Sequence, residues 1–221
     1  MFSRFFSYIL PVNVHKKKSS LSKSLEVTWN NGQLVLDSEN TNYSYGSLQR
    51  ILRKGLKYIG FERIRKFEKI LVLGVAGGSV IKTLVDEIKF KGQITGVEID
   101  PNIIEIANDY FKLNEIPNLK IVVDDAFEFV LKTKEKYDLI IIDIFQDTTM
   151  PAFLFQDFFI NRINFLLNVN GFILFNTMVI NEKNRARNLE YKNKFGGNYS
   201  LRMYPKVEEH NELFTIKKLK A

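Results

Sequence analysis

Three carboxylates and a run of small residues stand where this sequence can do chemistry. The run is Gly74-Val-Ala-Gly-Gly-Ser79, and the acids are Glu98, Asp125 and Asp143. A glycine at Gly74 can leave a strand with backbone angles closed to other residues. Gly77 and Gly78 lack side chains, so a ligand can approach the main chain there. The amides that open a following helix then point at that ligand. Glu98 lies twenty positions after Gly78. That is the spacing at which an acid reaches a ribose hydroxyl in a nucleotide-binding βαβ unit.

The elements that must position these groups follow from the apolar pattern. Ile70 to Leu73 reads as a buried strand that breaks into the glycine turn. Val80, Ile81, Leu84, Val85 and Ile88 follow at helical spacing, and Ile94 to Ile99 is a second strand with Glu98 near its end. Asp100-Pro101 opens the next helix, with Asp as N-cap and Pro in the first turn. Leu119 to Val123 is a third strand, and Asp124-Asp125-Ala126 leads to a helix through Val130. Tyr137 to Asp143 is a fourth strand, apolar enough to be buried on both faces. A loop from Ile144 to Met150 precedes a phenylalanine-rich helix. Phe172 to Phe175 is the fifth strand, Glu182 to Asn193 is a charged helix, and Leu201 to Tyr204 with Leu213 to Lys217 is a closing antiparallel pair.

Strands alternate with helices, which predicts an α/β fold: a Rossmann-like, doubly wound, mostly parallel sheet. Ligands of such sheets bind beyond the carboxyl ends of the strands. The Gly74 turn, Glu98, Asp125 and Asp143 all fall at those ends. A nicotinamide enzyme shares the first two features. An acid after the third strand, available to an adenine amine, and another after the fourth fit S-adenosylmethionine better.

Ahead of this domain the pattern changes. Residues 1–23 are without a firm pattern, beyond a Phe2, Phe5, Phe6, Ile9 spacing that allows one or two helical turns. Leu25 to Trp29 and Gln33 to Leu36 flank Asn30-Asn31-Gly32, a β-hairpin signal. Asn40 to Tyr45 reads as a polar, aromatic loop. Leu48, Ile51, Leu52, Leu56 and Ile59 then mark a helix ending near Gly60. The chain divides into an N-terminal extension with a β-hairpin, residues 1–46, and the Rossmann-like domain, residues 47–221.

Composition narrows the chemistry. The chain has 221 residues, 45% of them apolar, as suits one main domain. It has no cysteine, which removes disulfides, thiolate zinc sites and cysteine nucleophiles. Its only histidines are His15 and His210, so no metal site is expected. No apolar run is long enough for a membrane span, and no signal-peptide cleavage site precedes Pro11. The expected location is the cytoplasm. The net charge is +7, with lysines gathered at Lys16 to Lys18 and at Lys217, Lys218 and Lys220. They read as solvated charge, and no nucleic-acid partner is expected.

Over about residues 25–180 the sequence resembles the spermidine synthase family, within the class I S-adenosylmethionine-dependent methyltransferase superfamily. The likeness is carried by Leu34-Val-Leu-Asp37, Tyr43-Ser-Tyr45, Ile70 to Ser79, Val97-Glu-Ile-Asp-Pro101, Asp125-Ala126 and Tyr137 to Asp143. It implies a small N-terminal β domain beside a Rossmann-like domain, in a homodimer. By this resemblance Glu98 takes the ribose hydroxyls, and Asp125 with Ala126 takes the adenine edge. Gly74, Ala76, Gly77 and Gly78 pass close to the sulfonium tail. Asp143 stands in the place of the catalytic acid, and Tyr45 in that of a tyrosine lining the amine pocket.

Three positions depart from the pattern. Gly77 stands where polyamine synthases carry an Asp that holds the aminopropyl amine. Asp143-Ile-Phe-Gln-Asp147 replaces Asp-Ser-Ser-Asp, with the second acid one position late. Gly46 replaces a glutamine. A diammonium substrate needs several acids or carbonyls to replace its water. The sequence therefore predicts an S-adenosylmethionine-dependent transferase of the spermidine-synthase-like type, a methyltransferase on a small-molecule acceptor. Asp143 is its candidate base or amine-positioning residue, with a helix cap or a hydrogen bond to the cofactor's amino group as its alternative role. The alternatives are a polyamine aminopropyltransferase using decarboxylated S-adenosylmethionine and a non-catalytic nucleoside-binding homologue.

Overall fold

The computed structural model describes residues 2–19, 21, 23–38, 42–145 and 149–220. The start of the expected loop at Asn40 and the second acid of the altered run, Asp147, lie outside them. In chain order the elements are α1 (Phe2–Phe6), β1 (Val12–Ser19), β2 (Lys23–Asn30), β3 (Gln33–Ser38), β4 (Asn42–Ser44), α2 (Gly46–Ile59), α3 (Phe61–Ile64), β5 (Lys69–Leu73) and α4 (Ser79–Lys82). They continue with β6 (Gln93–Glu98), α5 (Pro101–Phe111), β7 (Leu119–Val123), α6 (Ala126–Lys132), β8 (Tyr137–Ile142), α7 (Asp157–Leu166), β9 (Leu167–Met178), α8 (Glu182–Asn193), β10 (Tyr199–Tyr204) and β11 (Asn211–Lys218).

The expected hairpin is the centre of a larger unit. β1 to β4 form an antiparallel sheet in chain order. β2 and β3 pair as Trp29 with Leu34, and Asn31 and Gly32 take the positive φ values of the tight turn, 49° and 75°. β1 was hidden because its Val-Asn-Val-His-Lys-Lys-Lys-Ser sequence is mostly polar. It is an edge strand, where lysines discourage pairing with another chain. Leu25, Val27 and Leu36 alternate onto one face and pack against Ile103, Ile106 and Phe111 of α5. The N-terminal sheet is thereby seated on the Rossmann-like domain. It ends at Ser44 and α2 begins at Gly46.

The second sheet has the order β10-β11-β9-β8-β5-β6-β7. Five strands, β9 to β7 in that order, are parallel, and β11 and β10 join antiparallel. From β5 the chain steps outward through β6 and β7. It then returns to the other side of β5 for β8 and β9. That reversal opens a crevice at the carboxyl ends of β5 and β8. Leu73 lies opposite Ile142, so Gly74 and Asp143 leave the sheet side by side.

Helices cover both faces. Ile51, Leu52 and Leu56 of α2, Val80 and Ile81 of α4 and Ile104 of α5 pack on one; Val130 of α6, Phe159 and Ile163 of α7 and Tyr191 of α8 pack on the other. The helix expected over Val80 to Ile88 is a single α-helical turn followed by a π-helical turn, Thr83–Glu87, closed by the Ile88 amide on the Thr83 carbonyl at 3.0 Å. β9 is twelve residues long rather than four. Its pairing with β8 shifts register between Tyr137 and Leu139, and Asn170 takes φ 66° at the irregularity. The Phe-rich segment divides into a 3₁₀ turn, Ala152–Phe155, and α7. Phe155 joins Phe175, Tyr191 and Phe214 in an aromatic cluster.

Candidate active site

Gly74 leaves β5 at φ 87°, and a Cβ there would overlap the carbonyl oxygen of Asp143. Only glycine lets the two strand ends approach so closely. The Gly74 and Asp143 amides remain in the sheet ladder, donating to Val97 O and Leu73 O at 3.0 and 2.9 Å.

Glu98 is the buried centre of the turn. Its Oε2 accepts from the amides of Val75 and Ala76 at 3.1 and 3.0 Å. Its Oε1 accepts from the amides of Ile99 and Asp100 at 3.0 and 3.2 Å. A carboxylate offers about four lone-pair directions, and four backbone donors fill them. Ala76 takes φ 47°, an angle an L-residue keeps only where its surroundings hold it. The Glu98 carboxylate supplies that hold. With those four donors in place, no lone-pair direction of the carboxylate is left open. The turn amides of Val75 and Ala76 thus face an acid of the protein itself, which leaves Gly77 N–H without an acceptor among the described residues.

Asp143 follows the last residue of β8 and is partly accessible. Its Oδ1 accepts from Asn176 Nδ2 at 2.9 Å, and Asn211 Nδ2 donates to Asn176 Oδ1 at 3.1 Å. Burial pushes the Asp143 carboxyl up to about 6; the Asn176 bond holds it down and the Glu98 charge adds to the rise. Burial also raises the Glu98 carboxyl, against the pull of its four backbone donors. Among the described residues Asp143 has a single side-chain donor, Asn176 Nδ2. Asn176 therefore acts on the site through Asp143. Asn176→Ala removes a donor to the carboxylate and is expected to move the acid limb of kcat/KM to higher pH. A profile still falling at about 6 would leave Asn176 a packing residue only.

The other expected site residues are placed as follows. Asp125 is the N-cap of α6, with Oδ1 accepting from Phe127 N at 2.7 Å. This cap uses one of its two carboxylate oxygens. Ala126 opens α6 beside it. Tyr45 takes φ 69° and stacks on Phe111 at 4.6 Å. Burial and the charge of Asp86 raise its hydroxyl. Sequence reasoning missed Ser44, whose hydroxyl accepts from Ser79 N–H at 3.2 Å, along with Asn176 and Asn211. A Cβ on Gly77 would lie 2.8 Å from Ser44 Cβ and 3.4 Å from Phe111 Cε2. Ser44 thus fills the space that a side chain at position 77 needs. Among the described residues no three metal-binding side chains come together.

A glycine turn, an acid ending the next strand and another acid across a strand-order reversal define the class I methyltransferase type of Rossmann-like fold. Human methyltransferase-like protein 13, solved with SAH, shares it at TM-score 0.65 and 19% identity, over 80% of this chain and 83% of that one. A model of the spermine/spermidine synthase domain matches residues 27–206, and the chain belongs to that family. Thermotoga maritima spermidine synthase has the same fold at TM-score 0.73 and 17% identity, over 95% of this chain and 73% of that one. A polyamine aminopropyltransferase of Buchnera aphidicola subsp. Schizaphis graminum is 35% identical over 132 residues, 57% of this chain and 46% of that protein. The chain spans just under half the length of the curated relatives it matches first.

Proposed function

We propose that this chain is a transferase of the polyamine aminopropyltransferase type, moving an aminopropyl group from decarboxylated S-adenosylmethionine to a small amine. The observation that carries the reading is Asp143. It is a partly accessible carboxylate at the carboxyl end of β8, with one oxygen tied to Asn176 and the other free among the described residues. In this reading Asp143 orients the attacking amine and takes its proton. Asp125 and Ala126 meet the adenine edge, and Gly74, Ala76, Gly77 and Gly78 border the tail. Glu98 holds the turn and serves the ribose once a turn amide is released. The bound donor would supply an electrophilic carbon on a sulfonium; as the C–N bond forms the C–S bond would break and the neutral thioether methylthioadenosine would leave, while the protein contributes orientation and exclusion of water. Family membership over residues 27–206 supports this reading above methyl transfer, for which the support is a shared fold. A cytoplasmic homodimer is part of the proposal. Phe6, Ile9 and Leu10, all exposed, offer it apolar surface, and among the described residues no helix is long and apolar enough to cross a membrane.

One observation favours methyl transfer as a second reading. Gly77 replaces the Asp that would attract a bare ammonium tail, and Ser44 leaves no room for one. The deciding experiment assays decarboxylated and ordinary S-adenosylmethionine side by side, with putrescine as acceptor. Putrescine-dependent turnover of the decarboxylated donor is expected. Methyl transfer from the ordinary donor alone would overturn the proposal, and binding of both donors without turnover would leave a nucleoside-binding protein.

The same geometry sets what Gly77→Asp does. Alone, the new Cβ displaces Ser44 and is expected to lower the melting temperature. Combined with Ser44→Gly, which removes the clashing Cβ, it is expected to shift the binding ratio toward the decarboxylated donor. Paired calorimetric titrations of both donors check this, and an unchanged ratio in the folded double variant would place the tail away from residue 77.

A further inference from the structure

The C-terminal strands carry a concavity that the reaction does not use. On β10 and β11, Ser200 lies opposite Lys217, Arg202 opposite Thr215 and Tyr204 opposite Leu213. Alternation puts these six on one face of the sheet. The other face, with Leu201, Met203, Phe214 and Ile216, packs into the core around Tyr191. On the first face α2 covers Leu174 and Leu213 and then ends at Ile59. Beyond it the face turns polar and borders a cavity of about 350 Å³, within the usual size range of small-molecule sites. Phe172 in its wall pairs with Leu139 near the start of β8. The cavity therefore lies toward the opposite end of the sheet from Gly74 and Asp143.

Its lining is one-signed. Arg63, Arg202 and Lys217 face it, and among the described residues no carboxylate does. Among the described residues none of the three is paired with an acid, whereas nearby Arg50, Arg53, Lys54 and Arg65 all are. Arg63 is fixed by its bond to the Ile59 carbonyl at 2.9 Å and by its guanidinium lying 5.2 Å from the Phe172 ring centre. Tyr58 and Tyr204 stack at 3.9 Å and make a rigid aromatic wall. Three cations in one concavity repel one another, and an anion of several charges relieves that repulsion. Guanidinium groups match phosphate oxygens in pairs, and the Ser200 and Thr215 hydroxyls add neutral donors.

We propose that this cavity is a second ligand site, separate from the crevice at Asp143, and that it takes a phosphate group of two or more negative charges. The source is an organic phosphate ester or free polyphosphate. Calorimetric titration at low salt with inorganic pyrophosphate and with phenyl phosphate separates the two and avoids any adenosine group. Saturable one-to-one binding is expected, with Kd below about 1 mM. Arg202→Ala/Lys217→Ala is expected to weaken it by about tenfold or more, while methylthioadenosine binding stays at the parent value. Ser200→Glu, on the exposed edge strand, places an acid in the cavity and is expected to have the same effect without removing a cation. Tighter binding of phenyl phosphate than of pyrophosphate assigns the site to esters, and the reverse assigns it to polyphosphate. Absence of saturable heat with both probes, or equal affinity in parent and both folded variants, would overturn the proposal.

Discussion

Replacing Asp143 with asparagine is expected to lower kcat/KM by about 10²–10⁴-fold, the range of a positioned general base, with the fold intact. Asparagine keeps the shape and can still meet Asn176, but it has neither charge nor basicity for the amine. The parent enzyme should show the matching pH dependence. A carboxyl raised to about 6 is a base above that pH and an acid below it, so kcat/KM should fall as pH drops through about 6. The limb belongs to the free enzyme, whose groups kcat/KM reports. A folded Asp143→Asn protein within about threefold of the parent would remove Asp143 from the chemistry.

Glu98→Ala is expected to cost stability first and ligand binding second. It strands four backbone N–H groups, those of Val75, Ala76, Ile99 and Asp100, at a buried site. One stranded donor costs about 1–3 kcal/mol; with water reaching some of them, a loss of about 3 kcal/mol or more is expected. In a domain of this size that lowers the melting temperature by roughly 6–12 °C. Glu98→Gln should also destabilise, because its amide NH₂ meets two backbone donors. Thermal unfolding of both variants without ligand checks this. A residue serving only the ribose would leave the unliganded melting temperature where it was, and that result would refute the structural role.

Much of this was legible in the sequence, for local reasons. The runs of β5, β6 and β8 are apolar because the strands are covered on both faces. Asp100-Pro101 announces a helix start, and Asp100 does accept the Asn102 amide at 2.9 Å. What stayed hidden depends on partners far apart in sequence. Asn176 and Asp143 are 33 positions apart, and nothing near either one marks the bond. Ser44 read as loop because β4 has only three residues, too few to show alternation. The glycine turn looked open to a ligand because spacing cannot reveal that Glu98 has folded back onto it. Gly77, the altered run after Asp143 and Gly46 drew the reading toward methyl transfer; local departures of this kind weigh less than a family match through most of the chain.

The central place of β5 has a consequence during synthesis. Its neighbours are β6, made soon after it, and β8, whose Leu139 pairs with Ile70 about 70 residues further on. On a ribosome adding about 5–20 residues per second, that is on the order of 4–14 s. Throughout that interval Ile70 to Leu73 presents an unpaired, apolar β-strand edge, the kind that joins other chains. Non-local parallel pairing is slow in its own right. The vulnerable species in the life of this protein is therefore the nascent chain that has emerged past β7 but not yet through β8, and a chaperone that shields that one edge would raise its yield.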